Sequence, residues 1–291
     1  MIYLYPVSCR QITEKGSDLS MAKLKGYSLP LSPEGRANLL PPPPWHYSGD
    51  MLLIEYRTDP DAVIALLPDE LEPADDPGAI SVIFADWQSC TDTGEEYLDP
   101  YHSQYKEAMV YVGAKYKGQP ICRCVYIWVD KDFPMLRGWV QGFPKKLGEI
   151  WMTRPVTVGK AGPRLAPGGK FGATLSVGGR RLIEGKVTLT GLSEKGPTVN
   201  QPPQYNSRHF PRWDSLEPAL YEMVTVRGVD KEVSPIWEGT AEITLHDSPF
   251  EELKALEPRE MLGGYYYSFG YTMIGGEVVE NHLENLKKMG G

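Results

Sequence analysis

Apolar positions along the chain fall into short runs, many of them alternating with polar residues, and turn residues separate the runs at close intervals. MLLIEYRT (51–58) reads as a strand by its apolar and aromatic content, and Asp59-Pro60 then opens a short helix, DAVIALLP, that Pro68 ends. AISVIFADWQSC (79–90) and EAMVYVGAKY (107–116) are further strands. ICRCVYIWVD (121–130) alternates with a period of two, which places Cys122, Cys124, Tyr126 and Trp128 on one face and Arg123 and Val125 on the other. The second half continues alike, with WMTRPVTVG, GATLSVGG and RRLIEGKVTLTGL, a proline-rich connection PTVNQPPQYN, then EMVTVRGV and EGTAEITLH. Near the end, PFEELKALE (249–257) predicts a short helix and GGYYYSFGYTMIGG (263–276) an aromatic strand with Tyr265, Tyr267, Phe269 and Tyr271 on one face. GEVVENHLENLKKM (276–289) carries apolar positions at helical spacing and predicts an amphipathic terminal helix. Successive strands at turn-marked spacing favour a meandering antiparallel sheet or barrel over alternating parallel units. The expected class is therefore α+β, predominantly antiparallel β, with a few short peripheral helices.

Ahead of the first strand, residues 1–48 read as a proline-rich arm. Its run PPPPW (41–45) is stiff and cannot join a central sheet, which leaves 49–291 as one domain. Among 291 residues, 41% are apolar and 23% charged, a mix that rules out a wholly disordered chain. Thirty Gly and 26 Pro imply many turns and few long helices. The formal net charge of −8 gives nothing global to attract phosphate backbones or anionic lipid, so no nucleic-acid or membrane partner is expected. No window approaches the roughly 18 to 20 apolar residues that cross a bilayer, and Pro6, Arg10 and Lys15 interrupt any leader-like stretch. A cytoplasmic protein follows, with its four cysteines, Cys9, Cys90, Cys122 and Cys124, reduced.

Most catalytic signatures are missing. The five histidines are isolated, no HExxH or CxxC pair occurs, and Cys122-x-Cys124 is better read as packing than as ligands, so no metal is expected. A phosphate loop GxxxxGK[ST] and a GxSxG turn are also absent. GWVQGFPKKLGEI (138–150) differs: adjacent lysines, Lys145 and Lys146, stand between a strand and a turn among Trp139, Phe143, Pro144, Leu147 and Ile150. Two readings are open, an exposed basic turn with an apolar flank or one amine kept partly out of water. Burial disfavours the charged form of an amine, and only the unprotonated form attacks a carbonyl to make a Schiff base.

GFPKKLG resembles the active-site signature of the acetoacetate decarboxylase superfamily, and EYRTDPDAVIALLPDELEP (55–73) and GTAEITLHDSPFEELKALEPREML (239–262) resemble that family's early strand and helix and its closing strand and linker. The resemblance covers about residues 50 to 285 and implies a barrel or cone, a Schiff base on Lys145 with no cofactor, and Lys146 as a cationic neighbour. Glu107, 38 residues before Lys145, matches an active-site glutamate of the family. An arginine and a second glutamate of the acetoacetate-cleaving members are replaced here by Gly49 and Ala85, which weakens acetoacetate as substrate. Gln141 and Tyr105 resemble a branch that keeps the lysine but performs aldol addition and dehydration with pyruvate.

The expected reaction is that of a Schiff-base lyase joining or splitting a small 2-oxo acid, such as pyruvate, and an aldehyde, with Lys145 as nucleophile, Glu107 in proton transfer and Lys146 offsetting charge. Tyr105 and Gln141 would orient carboxylate or hydroxyl groups, and Tyr271 would assist loss of water, although its stripe is equally readable as plain packing. Decarboxylation of another β-keto acid and a barrel that only binds a small molecule are the alternatives. The resemblance further implies a homo-oligomer, a tetramer or larger.

Overall fold

The computed structural model describes residues 23–284. Thirteen strands form one sheet: β1 Trp45–Arg57, β2 Glu72–Pro73, β3 Ala79–Cys90, β4 Gln104–Tyr116, β5 Gln119–Val129, β6 Lys145–Leu147, β7 Glu149–Met152, β8 Lys170–Val177, β9 Arg180–Leu192, β10 Tyr205–Pro211, β11 Pro218–Val233, β12 Trp237–Leu245 and β13 Glu260–Asn281. Three short helices accompany them, α1 Pro60–Ile64, α2 Pro100–Ser103 and α3 Asp132–Val140, with single 3-10 turns at Glu95–Leu98 and Leu253–Leu256. The main path runs β6-β5-β4-β3-β1-β13-β12-β9-β8-β7. Its two ends are consecutive halves of one stretch, Lys145–Met152, parted only at Gly148, so the sheet curls back on itself as a barrel does. The predicted α+β, mainly antiparallel class holds. One pairing departs from it: β6 lies parallel to β5, reached through α3, the crossover that a parallel neighbour needs.

Strand β3 matches its predicted span residue for residue. Strand β1 starts at Trp45, directly after the prolines and six residues ahead of the predicted start, because Trp45 and Tyr47 pair with Met273 and Tyr271 of β13. The strongest correction is at the end of the chain. Residues 276–281 extend β13 instead of opening a helix, and Val224, Thr225 and Val226 of β11 take Val278, Glu277 and Gly276 as partners. Pairing outweighs a local 3.6-residue pattern, and adjacent Val278 and Val279 suit a strand. Only residues 282–284 turn helical, and the rest of that expected helix lies outside the described residues. Similarly, the expected helix at 249–257 is reduced to its 3-10 turn.

The central strands separate two apolar clusters. Leu52, Ile54, Val82, Phe84, Ala108 and Val110 face the barrel interior, where Phe171, Leu175, Ile183, Val187 and Tyr266 meet them. The intervening positions, Met51, Leu53, Ile83, Ala85, Trp87, Tyr105 and Met109, build a second cluster on the outer face under Phe133 of α3. The expected common face of Cys122, Cys124, Tyr126 and Trp128 is split between them. Val110 pairs with Tyr126 but Tyr111 with Cys124, so Val125 is an extra, bulged residue that inverts the alternation. Both cysteines therefore join the outer cluster and Trp128 the inner one. No helix among the described residues is long and apolar enough to cross a membrane.

Candidate active site

The outer face carries the charged chemistry. Strand alternation on the short β6 sends its two lysines to opposite sides. Lys145 shares the face of its partner Ile127 and enters the outer cluster, with its side chain 7% exposed. Its Nζ lies 2.5 Å from Glu107 Oε1, whose side chain is 6% exposed, and 5.6 and 5.7 Å from the ring centroids of Tyr105 and Phe143. The protected-amine reading of the sequence is thus the one the fold realises. Glu107 turns to Lys145, whereas Lys115, further along the same strand, pairs with Asp75.

Lys146 does not fill the role expected of it. It sits on the other side of β6, 46% exposed, paired with Glu251 and 5.1 Å from the Trp128 ring centroid. A pair of adjacent residues on a strand cannot both point into one pocket, so the cationic neighbour of Lys145 is absent from this position.

Helix α3 fixes the lysine. Trp139 Nε1 donates to the Lys145 carbonyl at 2.8 Å, and the Phe143 amide donates to the Gly138 carbonyl at 2.9 Å. Gly138 leaves the space that the lysine stem fills, since a Cβ there would fall 2.3 to 2.6 Å from Lys145 Cδ, Cγ and Cε. The same helix brings a residue that the sequence reading missed. Arg137 is buried between Phe133 and Gln141 at four-residue spacing; its Nη1 donates to Tyr47 Oη at 3.1 Å and Ser89 Oγ at 3.2 Å. Its guanidinium lies 5.2 to 5.3 Å from the ring centroids of Trp45, Tyr47 and Phe133. It has no ion-pair partner among the described residues, and its Nε has no hydrogen-bond partner. The buried amide nitrogen of Gln141 faces the Tyr47 hydroxyl. The signal for this helix face was the recurrence of Phe133, Arg137 and Gln141, masked by Pro134 and Gly138, which read as breakers. Pro134 is tolerated because it lies in the first turn.

Tyr271 reaches the site, stacked on Tyr47 at 4.8 Å and 10°. Burial raises the hydroxyl pKa of Tyr105 and Tyr271 well above the usual phenol value and that of Tyr47 above it. These groups keep their protons near neutrality and serve as hydrogen-bond donors, not as bases. The thiols behave likewise: burial pushes Cys122 up to about 12 and Cys124 well above its normal value, which fits packing. Gly49 and Ala85 also face this site. Ala85 is the cross-strand partner of Glu107, so a second carboxylate is missing beside the first. Gly49 lies inside β1, opposite Trp87, and the guanidinium of the site comes instead from α3. Among the described residues, no three metal-ligating side chains converge.

Comparisons with known proteins bear on the family and the fold. A family model described as acetoacetate decarboxylase matches residues 28–283. The acetoacetate decarboxylase of Acidiphilium cryptum is 24% identical over 275 residues, 91% of this chain and 99% of that protein. The enduracididine biosynthesis enzyme MppR, complexed with pyruvate, is 44% identical, covering 90% of this chain and all of that one, with a TM-score of 0.85. A second MppR structure holds the condensation product of pyruvate and imidazole 4-carboxaldehyde, at 44% identity and a TM-score of 0.84 over 89% and 98% of the two chains. An acetoacetate decarboxylase-like enzyme from Sphingomonas wittichii RW1 is 28% identical, covering 88% of this chain and all of that one, with a TM-score of 0.81.

Proposed function

The chain belongs to the acetoacetate decarboxylase family, and from that premise we propose that it is a Schiff-base lyase acting on pyruvate, or a 2-oxo acid of similar size, and an aldehyde. The observation that carries this reading is the pairing, on one buried wall, of an amine with a proton acceptor and of a guanidinium with no counter-charge. Passing one proton from Nζ to Oε1 across 2.5 Å converts the Lys145–Glu107 ion pair into a neutral amine and a neutral carboxylic acid. The amine attacks the keto carbon; the carbinolamine takes a proton from Glu107 and loses water, leaving an iminium. Glu107, again a carboxylate, removes a proton from the adjacent methyl carbon to give the enamine.

The enamine then adds to the aldehyde carbon, and the new alkoxide takes a proton from Glu107. A further proton loss from the nucleophilic carbon and departure of the hydroxyl as water create the conjugated double bond. Hydrolysis of the iminium consumes one water, whose oxygen becomes the keto oxygen, frees Lys145 as the ammonium and releases an unsaturated 2-oxo acid. Arg137 Nε, a buried donor without an acceptor, and the Gln141 amide beside the Tyr47 hydroxyl are the receptor for the substrate carboxylate. Tyr47, Tyr105 and Tyr271 donate hydrogen bonds to carboxylate or hydroxyl oxygens. MppR, with pyruvate and a pyruvate–aldehyde condensation product in its structures, supports this branch of the family.

Decarboxylation of a β-keto acid uses the same iminium as electron sink and is the second reading, favoured by curated relatives named acetoacetate decarboxylase. The residues at Gly49 and Ala85 count against acetoacetate itself. Borohydride added with pyruvate should leave a mass adduct on Lys145 that Lys145→Ala lacks. A panel of aldehydes should then give ultraviolet absorbance from a conjugated product. Carbon dioxide release from β-keto acids, without that absorbance, would transfer the assignment to the second reading, and no adduct with any carbonyl compound would remove both.

A further inference from the structure

Glu107 is held at both ends, and only one end faces the lysine. Its Oε1 lies 2.5 Å from Lys145 Nζ, while its Oε2 accepts a hydrogen bond from Trp87 Nε1 at 3.0 Å. Trp87 pairs with Tyr105 and Glu107 with Ala85, which makes the indole and the carboxylate diagonal neighbours on one face of β3 and β4. The indole has little freedom of its own. Tyr47 meets it edge-on at 5.8 Å and 70°, Tyr271 at 6.1 Å and 71°, and Phe269 at 6.4 Å and 62°. It also needs the missing side chain of Gly49, whose Cβ would lie 2.7 Å from Trp87 Cε3 and 2.6 Å from the Asp86 carbonyl oxygen.

We propose that Trp87 is a positioning residue for Glu107. Its N–H holds the carboxylate so that Oε1 is the single atom that exchanges protons with Lys145 and with the carbon next to the iminium, and Gly49 is the vacancy that lets the indole take this place. The proposal rests on the Schiff-base reading above and refines it. A glutamate side chain turns about three bonds, and a donor locked by three aromatic rings removes that freedom at the oxygen away from the lysine. Proton transfer depends on such placement, because a carboxylate displaced by about 1 Å is no longer aligned with the bond it must break. Where a second acid at position 85 would compete with Glu107 for protons, a neutral N–H donor fixes it without adding charge.

Trp87→Phe keeps an aromatic ring and removes the N–H. It is expected to slow turnover about ten- to hundredfold, with KM for pyruvate unchanged, because Arg137 holds the carboxylate elsewhere. Gly49→Ala, which pushes on the indole without touching Glu107, should lower kcat in the same direction. Wild-type kcat in folded Trp87→Phe, or a raised KM with kcat preserved, would overturn the proposal. A readout independent of catalysis comes from 15N-labelled indoles: the resonance lost in Trp87→Phe should move upfield in Glu107→Gln, where a neutral amide is a weaker acceptor. An unmoved resonance overturns the proposal as well. If the unaltered protein forms no adduct with pyruvate, the Schiff-base reading fails, and the indole resonance still decides whether Trp87 holds Glu107.

Discussion

Strands β1, β3 and β4 present two faces that were built for different ends. The inner face meets the far side of the barrel through Leu52, Ile54, Phe84, Val110, Leu175 and Tyr266, side chains that lose water together and carry no charge. The outer face, one residue out of phase along the same strands, buries Lys145, Glu107 and Arg137 and leaves Arg137 Nε without an acceptor. Buried donors without partners work against folding, since each forfeits its hydrogen bond to water. One sheet can carry such a face because the other supplies apolar burial. The outer face therefore gives up stability that the inner face supplies, and the two faces should respond to substitution in opposite ways.

Lys145→Ala tests the outer face most severely. It removes the proposed nucleophile and should cut turnover on the order of 10^4-fold or more, with no borohydride adduct by mass spectrometry and little loss of folding. Phe84→Ala tests the inner face. Phe84 is fully buried, and its truncation should cost about 3–5 kcal/mol in a urea melt, while the folded fraction still forms the adduct at the parental rate. Equal effects of both changes on folding would erase the distinction.

Arg137→Met sharpens it further. Loss of charged hydrogen bonds to the substrate carboxylate, worth roughly 1.5–3 kcal/mol, should raise KM for pyruvate about ten- to hundredfold. Replacing a buried, unpaired guanidinium by an apolar side chain should at the same time leave Tm equal or higher. A lower Tm with KM intact would make Arg137 a structural residue. Lys146→Met should do least, shifting turnover by no more than about twofold, since strand alternation holds the ammonium on the far side of β6 from Lys145. Its dependence of adduct formation on pH should match the parent; a displaced profile would show that Lys146 senses Lys145 across the strand.

The history of these residues in the sequence differs in kind. Strand β3 was legible over its whole length because apolar and polar positions repeat locally, and Lys145 stood out as an amine among aromatic residues. Glu107 came from the family resemblance, and the fold supplied what could not be read: that its partner is Lys145 and not a neighbouring lysine. Arg137 was hidden in a helix whose proline and glycine look like breaks, although one of them lies in the first turn and the other makes room for a side chain seven residues on. The terminal segment was misread for the opposite reason, since its spacing fits a helix as well as a strand until β11 is beside it.

By itself, the order of residues determined the run of strands, the apolar setting of one lysine and kinship with a family, because each is written in short-range periodicity or in a contiguous motif. Only the tertiary structure decided which way each lysine of the pair points, that a bulge at Val125 sends Cys124 and Tyr126 to different faces, and that an arginine on α3 is buried in the same outer cluster as Lys145. Those outcomes depend on strand pairing between residues far apart in the chain, and pairing energy belongs to both partners at once, so neither segment contains it alone.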